Sequence, residues 1–203
     1  MYSAVMGTND TSERLVEATR ELLWERGYVG TSPKAVQQAA GAGQGSMYHH
    51  FAGKRDLALA AIRRTAEEMD AAAGAALDGG GTPYDRIRAY LLRERDVLRG
   101  CPVGRLTMDP EVIADPELRA PVEEVLDRLR ARLAAVVREG GGPDGPLDPE
   151  ETAATIVATV QGGYVLARAT GSPAPFDSAV RGLLALLAPH ARPAGAAPSS
   201  PAH

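Results

Sequence analysis

Residues 27–55 constrain the fold more than any other part of the chain. Their pattern predicts two short helices, over 33–40 and 44–50, because Pro33 suits the first turn of a helix and Gly41 breaks the pattern between them. A longer helix with a basic start is predicted to follow. Two short helices around a glycine turn are the layout of a helix-turn-helix.

The rest of the chain predicts an all-α protein. Apolar residues recur at three- and four-residue spacing, and no stretch alternates with period two as a half-buried strand does. About nine helices are expected: from a cap at Asp10, Thr11 or Ser12 to Arg26, then 33–40, 44–50, 54–77, 84–98, a bent or split helix over 103–114, and 116–139, 149–169 and 176–187. The expected domains are a disordered start at 1–10, a helix-turn-helix domain at 11–53, a larger C-terminal helical domain at 54–188 and a disordered tail at 189–203.

Charge is distributed unevenly along the chain, whose formal net charge is −4. Residues 27–64 hold one acid, Asp56, and five cations, which are Lys34, Lys54, Arg55, Arg63 and Arg64. This local balance of +4 leaves −8 for the remainder, so we expect one basic surface on an acidic body, as phosphate binding requires. A chance cluster on a solvated face is the alternative.

The predicted recognition helix has the residue types that base reading needs. Small residues let a helix approach the major groove, Gln44 can bond adenine, Ser46 can bond bases or phosphates, and Lys54 can bind phosphate. Three alternatives stay open: Thr31 and Ser32 could be helix caps only, Tyr48 could pack against the first helix, and His50 is favoured as a structural hydrogen-bonding residue. The predicted DNA-contacting residues are Thr31, Ser32, Lys34, Gln44, Ser46, Tyr48, His49 and Lys54.

The predicted helices over 149–169 and 176–187 are the most apolar long segments of the chain. Their apolar residues exceed what one face needs to cover the core of a monomer, which favours dimerisation over two ordinary core helices. The predicted interface residues are Ile156, Val157, Tyr164, Val180, Leu183, Leu184 and Leu187.

A small-molecule pocket is predicted where the fifth to eighth helices would converge around the broken sixth helix. Plain packing is the alternative for every candidate, and an aromatic content of 4% gives no obvious stacking cage. The candidate ligand-binding residues are Tyr90, Leu106, Met108, Ile113, Leu129, Val160, Gln161 and Tyr164.

The sequence AGAGQGSMYHHF over residues 40–51, followed by Lys54, closely resembles the DNA-binding signature of the tetracycline-repressor (TetR) family. That family typically shows Ala-Gly-Val-Ser-x-Gly-Thr-Leu-Tyr-x-His-Phe and a spaced lysine. The main departure is Gly43 in place of serine, which removes a side-chain cap from the recognition helix. Residues 100–104 and the Gln161-Gly162 pair resemble a branch that includes lincomycin-resistance repressors.

The resemblance implies a homodimeric repressor whose larger domain binds ligand and dimerises. Two recognition helices would enter major grooves roughly 34–36 Å apart on a pseudo-palindromic, double-stranded DNA operator. A small-molecule effector of unknown identity would shift the long fourth helix and release the DNA.

The main alternative is an all-α enzyme or small-molecule-binding protein that binds no DNA, and a structural interaction module is a third class. No histidine stands in a Glu-x-x-His arrangement, no glycine motif follows a strand, and no nucleophile–base pair stands out.

The single cysteine, Cys101, excludes a disulfide framework and is expected to be a small buried hydrophobe rather than an oxidant sensor. We therefore expect a cytoplasmic protein with no cofactor, no metal and no membrane partner.

Overall fold

A computed structural model describes residues 3–141 and 145–188. Within these ranges the chain forms nine α-helices, one 3-10 segment and no β-strand, which confirms the all-α prediction. No helix in this part of the chain is both long and apolar enough to cross a bilayer. The α-helices are α1 Ser3–Arg26, α2 Pro33–Ala40, α3 Gln44–His50, α4 Lys54–Leu77, α5 Pro83–Leu92, α6 Pro110–Ala114, α7 Pro116–Gly141, α8 Pro149–Thr170 and α9 Ala174–Leu187, and the 3-10 segment is Gly104–Met108.

The first helix begins earlier than the sequence predicts. α1 starts at Ser3, so residues 3–10 are helical rather than disordered. The reason is that α1 contains no proline and one glycine, Gly7, and a single glycine weakens a helix without ending it. The predicted disordered tail at 189–203 lies outside the described residues.

The chain between α5 and α7 is irregular, as the sequence predicts. α5 ends at Leu92 rather than near residue 98, and the Arg95 guanidinium donates to the carbonyl of Tyr90 in its last turn. The expected sixth helix is split into the 3-10 segment and α6. Pro110 occupies the first turn of α6, where its missing N–H leaves no intrahelical bond unmade.

The described residues divide into two compact units, of which the first comprises residues 3–70 and 99–127. This division differs from the predicted boundary at residue 53, because most of α4 and the segment 99–127 group with the helix-turn-helix. Phe51 is partly buried against the core of this unit. The core residues are Leu15, Leu22, Val36, Ala40, Met47 and Leu57.

Among the described residues, the second unit comprises 71–98, 128–141 and 145–188. In it α8 packs against α9, and the Tyr164 and Phe176 ring centroids are 5.0 Å apart. Gly163 permits this contact, because a Cβ at that position would lie 2.8 Å from Cδ2 of Phe176. Asp148 caps the start of α8, and its carboxylate accepts a hydrogen bond from the backbone N–H of Glu151 at 2.8 Å.

The turn after α1 provides a test of close packing in the first unit. A Cβ at Gly30 would lie 2.5 Å from the backbone oxygen of Arg26, so Gly30→Ala should force the turn to shift. We expect a loss of about 1–3 kcal/mol in the free energy of unfolding, measured by urea denaturation without DNA. Gly45→Ala in α3 is the control, because a Cβ there meets no atom within 4 Å and alanine favours helix. Equal stability of the two variants would contradict this account.

Candidate nucleic-acid interface

The turn between α2 and α3 is built by glycine and by backbone hydrogen bonds. Gly41 has a φ of +59°, a left-handed conformation that glycine adopts without strain. Its N–H donates to the carbonyl of Gln38 at 3.3 Å, and the N–H of Ala42 donates to the carbonyl of Gln37 at 2.9 Å. Gly43 then begins α3 without a side-chain cap, as the sequence predicts.

Packing, rather than capping, holds α3 in place. Met47 is fully buried in the core of the first unit, and the amide of Gln37 on α2 donates to its sulfur at 3.4 Å. A helix of seven residues is too short to be stable alone in water. The core therefore sets the orientation of α3 and of the side chains on its outer side.

The outer side of α3 carries most of the predicted base-reading residues. Gln44 and His49 are exposed, Tyr48 is 50% exposed, and Ser46 is half-buried. The exposure of Tyr48 argues against the alternative that it packs on α1. Lys34 is exposed on α2. We call Lys34, Gln44, Ser46, Tyr48 and His49 the reading surface.

Thr31 and Ser32, both predicted DNA contacts, differ in their environment. Thr31 is 2% exposed, and its hydroxyl donates to the carbonyl of Gly27 at 2.7 Å. A buried hydroxyl that already has a partner does not reach a phosphate, so the prediction for Thr31 is corrected to a structural role. Ser32 is exposed and caps α2, since its hydroxyl oxygen accepts from the N–H of Ala35 at 3.2 Å.

Lys54 is oriented by an aromatic ring at the start of α4. Its Nζ lies 4.0 Å from the centroid of the Tyr28 ring, and Tyr28 is 7% exposed. Burial raises the pKa of the Tyr28 hydroxyl, and the nearby Glu111 and Asp115 carboxylates add to this shift. The phenol is therefore neutral at physiological pH, and the charge of Lys54 is not neutralised by it.

Ion pairs within the first unit reduce the basic surface that the sequence predicts. Arg55 binds Asp115 through two nitrogens, at 2.5 and 2.9 Å, and Glu117 at 3.0 Å. Arg64 binds Glu13 at 3.0 Å. The other cations of the basic stretch, Lys34, Lys54 and Arg63, form no ion pair with any described residue.

The Arg55 pair also shifts the titration of its partner. The Arg55 guanidinium, together with the backbone N–H groups of Glu117 and Leu118, lowers the pKa of Asp115 to about 2, and Arg55 is the largest cause. Asp115 is therefore ionised at every physiological pH, and it raises the pKa of Arg55 in turn.

Sequence reasoning missed the role of Asp109 at the turn that precedes α2. Asp109 is 7% exposed, and its Oδ2 accepts a hydrogen bond from the N–H of Val29 at 2.9 Å. Gly27, at φ +74°, leaves room for this carboxylate, because a Cβ there would lie 3.0 Å from Oδ2. The Asp-Pro pair at 109–110 is an N-cap signature, but the sequence does not show what else the carboxylate would bind.

The candidate pocket residues lie in both compact units. Leu106, Met108 and Ile113 belong to the first unit, where Leu106 is buried, Met108 is 84% exposed and Ile113 is 41% exposed. Gln161 is half-buried in the second unit. The remaining candidates, which are all buried there, are Tyr90, Leu129, Val160 and Tyr164.

Aromatic rings and arginine side chains form a cluster in the second unit, which the low aromatic content of the sequence did not indicate. We call Tyr90, Arg93, Arg95, Tyr164 and Phe176 the arginine–aromatic cluster. The guanidinium carbon of Arg93 lies 4.9 Å from the Tyr90 ring centroid, and that of Arg95 lies 5.5 Å from both the Tyr90 and the Phe176 centroids. Arg93 forms no ion pair with the described residues, and its buried Nε has no hydrogen-bond acceptor.

The predicted dimer residues lie on the inner side of α8 and α9. Val157 is half-buried, and the other six, Ile156, Tyr164, Val180, Leu183, Leu184 and Leu187, are buried within the chain. The large apolar side chains exposed on these helices are instead Val165, Leu166 and Leu186, at 67%, 52% and 73%. Apolar periodicity predicted the stripe that is buried within the chain. Both helices also carry apolar residues on a second, exposed face.

Two family models match this chain. The model described as "Bacterial regulatory proteins, tetR family" matches residues 15–61. The model described as "Transcriptional regulator LmrA/YxaF-like, C-terminal domain" matches residues 85–181. The first match contains the reading surface, and the second contains the arginine–aromatic cluster.

Individual relatives match over most of their length. The chain is 32% identical over 184 residues to an uncharacterized HTH-type transcriptional regulator of Mycobacterium tuberculosis, covering 86% of this chain and 93% of that protein. It is 24% identical over 178 residues to the HTH-type transcriptional regulator LmrA of Bacillus subtilis, covering 84% and 93%. A crystal structure of a TetR transcriptional regulator from Chloroflexus aurantiacus superposes with a TM-score of 0.77 at 28% identity, covering 92% of this chain and 98% of that one.

Proposed function

Because this chain belongs to the TetR family of bacterial regulatory proteins, and is a DNA-binding transcriptional regulator rather than an enzyme, we propose that it acts as a homodimeric, ligand-released repressor. It would bind a pseudo-palindromic operator in the cytoplasm. The observation that carries the proposal is the reading surface: polar side chains lie on the outer side of α3, beside Lys34 of α2, and the buried side of α3 anchors it to the core.

The reading surface suggests how each residue would contact DNA. Gln44, at the start of α3, would reach base edges first, and its amide can bond adenine through two hydrogen bonds. Ser46 would contact a base or a phosphate. Tyr48, His49 and Lys34 would contact backbone oxygens, and these contacts set the register without carrying sequence information.

Selection from random duplexes tests the proposal. The purified protein, incubated with a random pool at moderate salt and carried through several rounds, should enrich an inverted repeat. Enrichment of two half-sites would support a dimeric reader. Failure to enrich any duplex, even at low salt where phosphate attraction is strongest, would contradict it.

Substitution of Gln44 tests base reading on the selected operator. Gln44→Ala should lower discrimination at one base pair per half-site by about 1–3 kcal/mol, because a paired amide contact is lost. Competition binding at fixed salt, with each operator base pair changed in turn, measures this. Gln38→Ala, which removes an exposed glutamine from α2, should leave the preference intact. An equal loss of affinity for every duplex would argue against Gln44 as a base reader.

A second copy of this chain is the proposed occupant of the outer face of α8 and α9. Beside exposed Val165, Leu166 and Leu186 stand Gly162 and Gly182, where a Cβ would meet no atom within 4 Å. Exposed apolar side chains favour burial against a partner, and glycines let two backbones approach closely. The buried stripe that the sequence singled out would support this face from within.

Gly162→Arg tests the dimer face. The monomer has room for the side chain, so helicity and the melting temperature of the monomeric fold should persist, while a long cation would separate the two copies. Sedimentation should show a dimer for the unchanged protein and a monomer for the variant. Ala72→Arg, at an exposed position of α4, should remain dimeric. A dimeric Gly162→Arg protein would contradict this interface.

The arginine–aromatic cluster supports an anionic effector with an apolar body. Arg93 is a half-buried cation with no ion pair among the described residues, and its buried Nε lacks an acceptor that a carboxylate would supply. The neighbouring rings of Tyr90, Tyr164 and Phe176 would hold the apolar part. Binding would favour a state in which α4 shifts and the two reading surfaces no longer match the operator.

Paired carboxylates and amides test the charge of the effector. Benzoate and hexanoate should raise the melting temperature and weaken operator binding, whereas benzamide and hexanamide should not, because only the anions satisfy the Arg93 guanidinium. Arg93→Gln should abolish the difference, and Arg88→Gln, an exposed arginine on α5, should preserve it. Amides that act as strongly as carboxylates would contradict anion recognition.

A further inference from the structure

Two aspartates within the first unit each bind two elements at once. Each caps a helix with one carboxylate oxygen and also binds a second element, which is the turn before α2 for Asp109 and the start of α4 for Asp115. They stand at the two ends of α6, Asp109 immediately before it and Asp115 immediately after it. An ordinary N-cap serves only its own helix.

Asp109 joins α6 to the turn that precedes α2. Its Oδ1 accepts from the N–H groups of Glu111 and Val112, at 3.2 and 3.4 Å, and so caps α6. Its Oδ2 accepts from the N–H of Val29 at 2.9 Å. The carboxylate is buried, and Gly27 leaves the space it fills, so the same atoms serve the cap and the turn.

Asp115 joins the start of α7 to the start of α4. Its Oδ1 accepts from the N–H groups of Glu117 and Leu118, at 3.0 and 3.4 Å. Both of its oxygens also accept from Arg55, which Glu117 binds in addition. Arg55 directly follows Lys54, the residue that we expect to bind phosphate.

We propose that Asp109 and Asp115 are positioning residues whose second contacts, which we call the clamps, fix the turn before α2 and the start of α4 to the two ends of α6 and thereby set the spacing of half-sites that the dimer accepts. This inference rests on the proposed function. Asp109 and Asp115 directly flank the five residues of α6, so a displacement of α6 moves both clamps together. The clamps would transmit such a displacement to the turn at 27–31 and to the start of α4.

Serine variants separate the clamp from the cap. Serine is a good N-cap, but its side chain is too short to bind a second element, so Asp109→Ser and Asp115→Ser should keep their helices and lose the clamps. Asp148→Ser is the cap control, because the carboxylate of Asp148 binds only its own helix α8 among the described residues.

Loss of an acid also strengthens attraction to any duplex, so total affinity is not the readout. Glu13→Gln is the charge control, since it removes an acid and frees Arg64 without removing a helix cap. The readout is the ratio of operator to random-duplex affinity at fixed salt, measured on operators whose half-sites are moved apart by one and two base pairs.

We expect the unchanged protein and both controls to prefer one spacing by at least tenfold, and both clamp variants to lose most of that preference. Hydrogen exchange of the protein without DNA gives a second measure. The Val29 amide should exchange at least tenfold faster in Asp109→Ser, with the melting temperature within a few degrees of the original. If Asp109→Ser does not fold, the more exposed Asp115→Ser carries the spacing test.

Clamp variants that keep the original spacing preference would overturn this inference and leave the proposed function standing. An unchanged exchange rate of the Val29 amide in Asp109→Ser would do the same. An unchanged protein that selects no duplex would overturn the proposed function and this inference together. Loss of spacing preference in Glu13→Gln or Asp148→Ser to the same degree would show a general effect of charge or stability and would also overturn it.

Discussion

Burial of Met47 in the core of the first unit is the constraint on which the reading surface depends. α3 has seven residues and follows a glycine N-cap that provides no side-chain hydrogen bond, so neither its length nor its N-terminus stabilises it. Contacts with Leu15 and Leu22 of α1 and Val36 of α2 supply that stability. Because one side of α3 is buried in this way, Gln44, Tyr48 and His49 face solvent together.

Electrostatics within the first unit favour selective over general attraction to DNA. Arg55 and Arg64 are bound by acids of the same unit, whereas Lys34 and Lys54 near the reading helices have no acidic partner among the described residues. A narrow basic surface limits the attraction that any duplex exerts, so contacts to base edges contribute a larger share of the affinity. Asp115, one of the two acids that bind Arg55, also caps α7, so the same side chain sets both charge and geometry there.

In the second unit, the apolar residues of α8 and α9 are divided between a buried inner side and an exposed outer side. The inner side buries Ile156 and Leu183, while the outer side leaves Val165 and Leu186 exposed beside glycines. Apolar residues on both sides are expected where a pair of helices must cover a core and also meet a partner. The arginine–aromatic cluster gathers residues from α5, α8, α9 and the segment after α5, far apart along the chain.

The sequence by itself determined the elements and their order: the bounds of α2, α3 and α4, the split near Pro110, and the uncapped start of α3 at Gly43. These follow from local rules, because caps, glycine turns and apolar periodicity act within a few residues. Only the tertiary structure decided that Thr31 is buried, that Asp109 binds Val29, that Arg55 is neutralised by Asp115, and that the apolar stripe at Ile156 faces inward. Each of these depends on contacts between residues distant in sequence or on which of two similar faces is buried. The local sequence pattern gives no information about either.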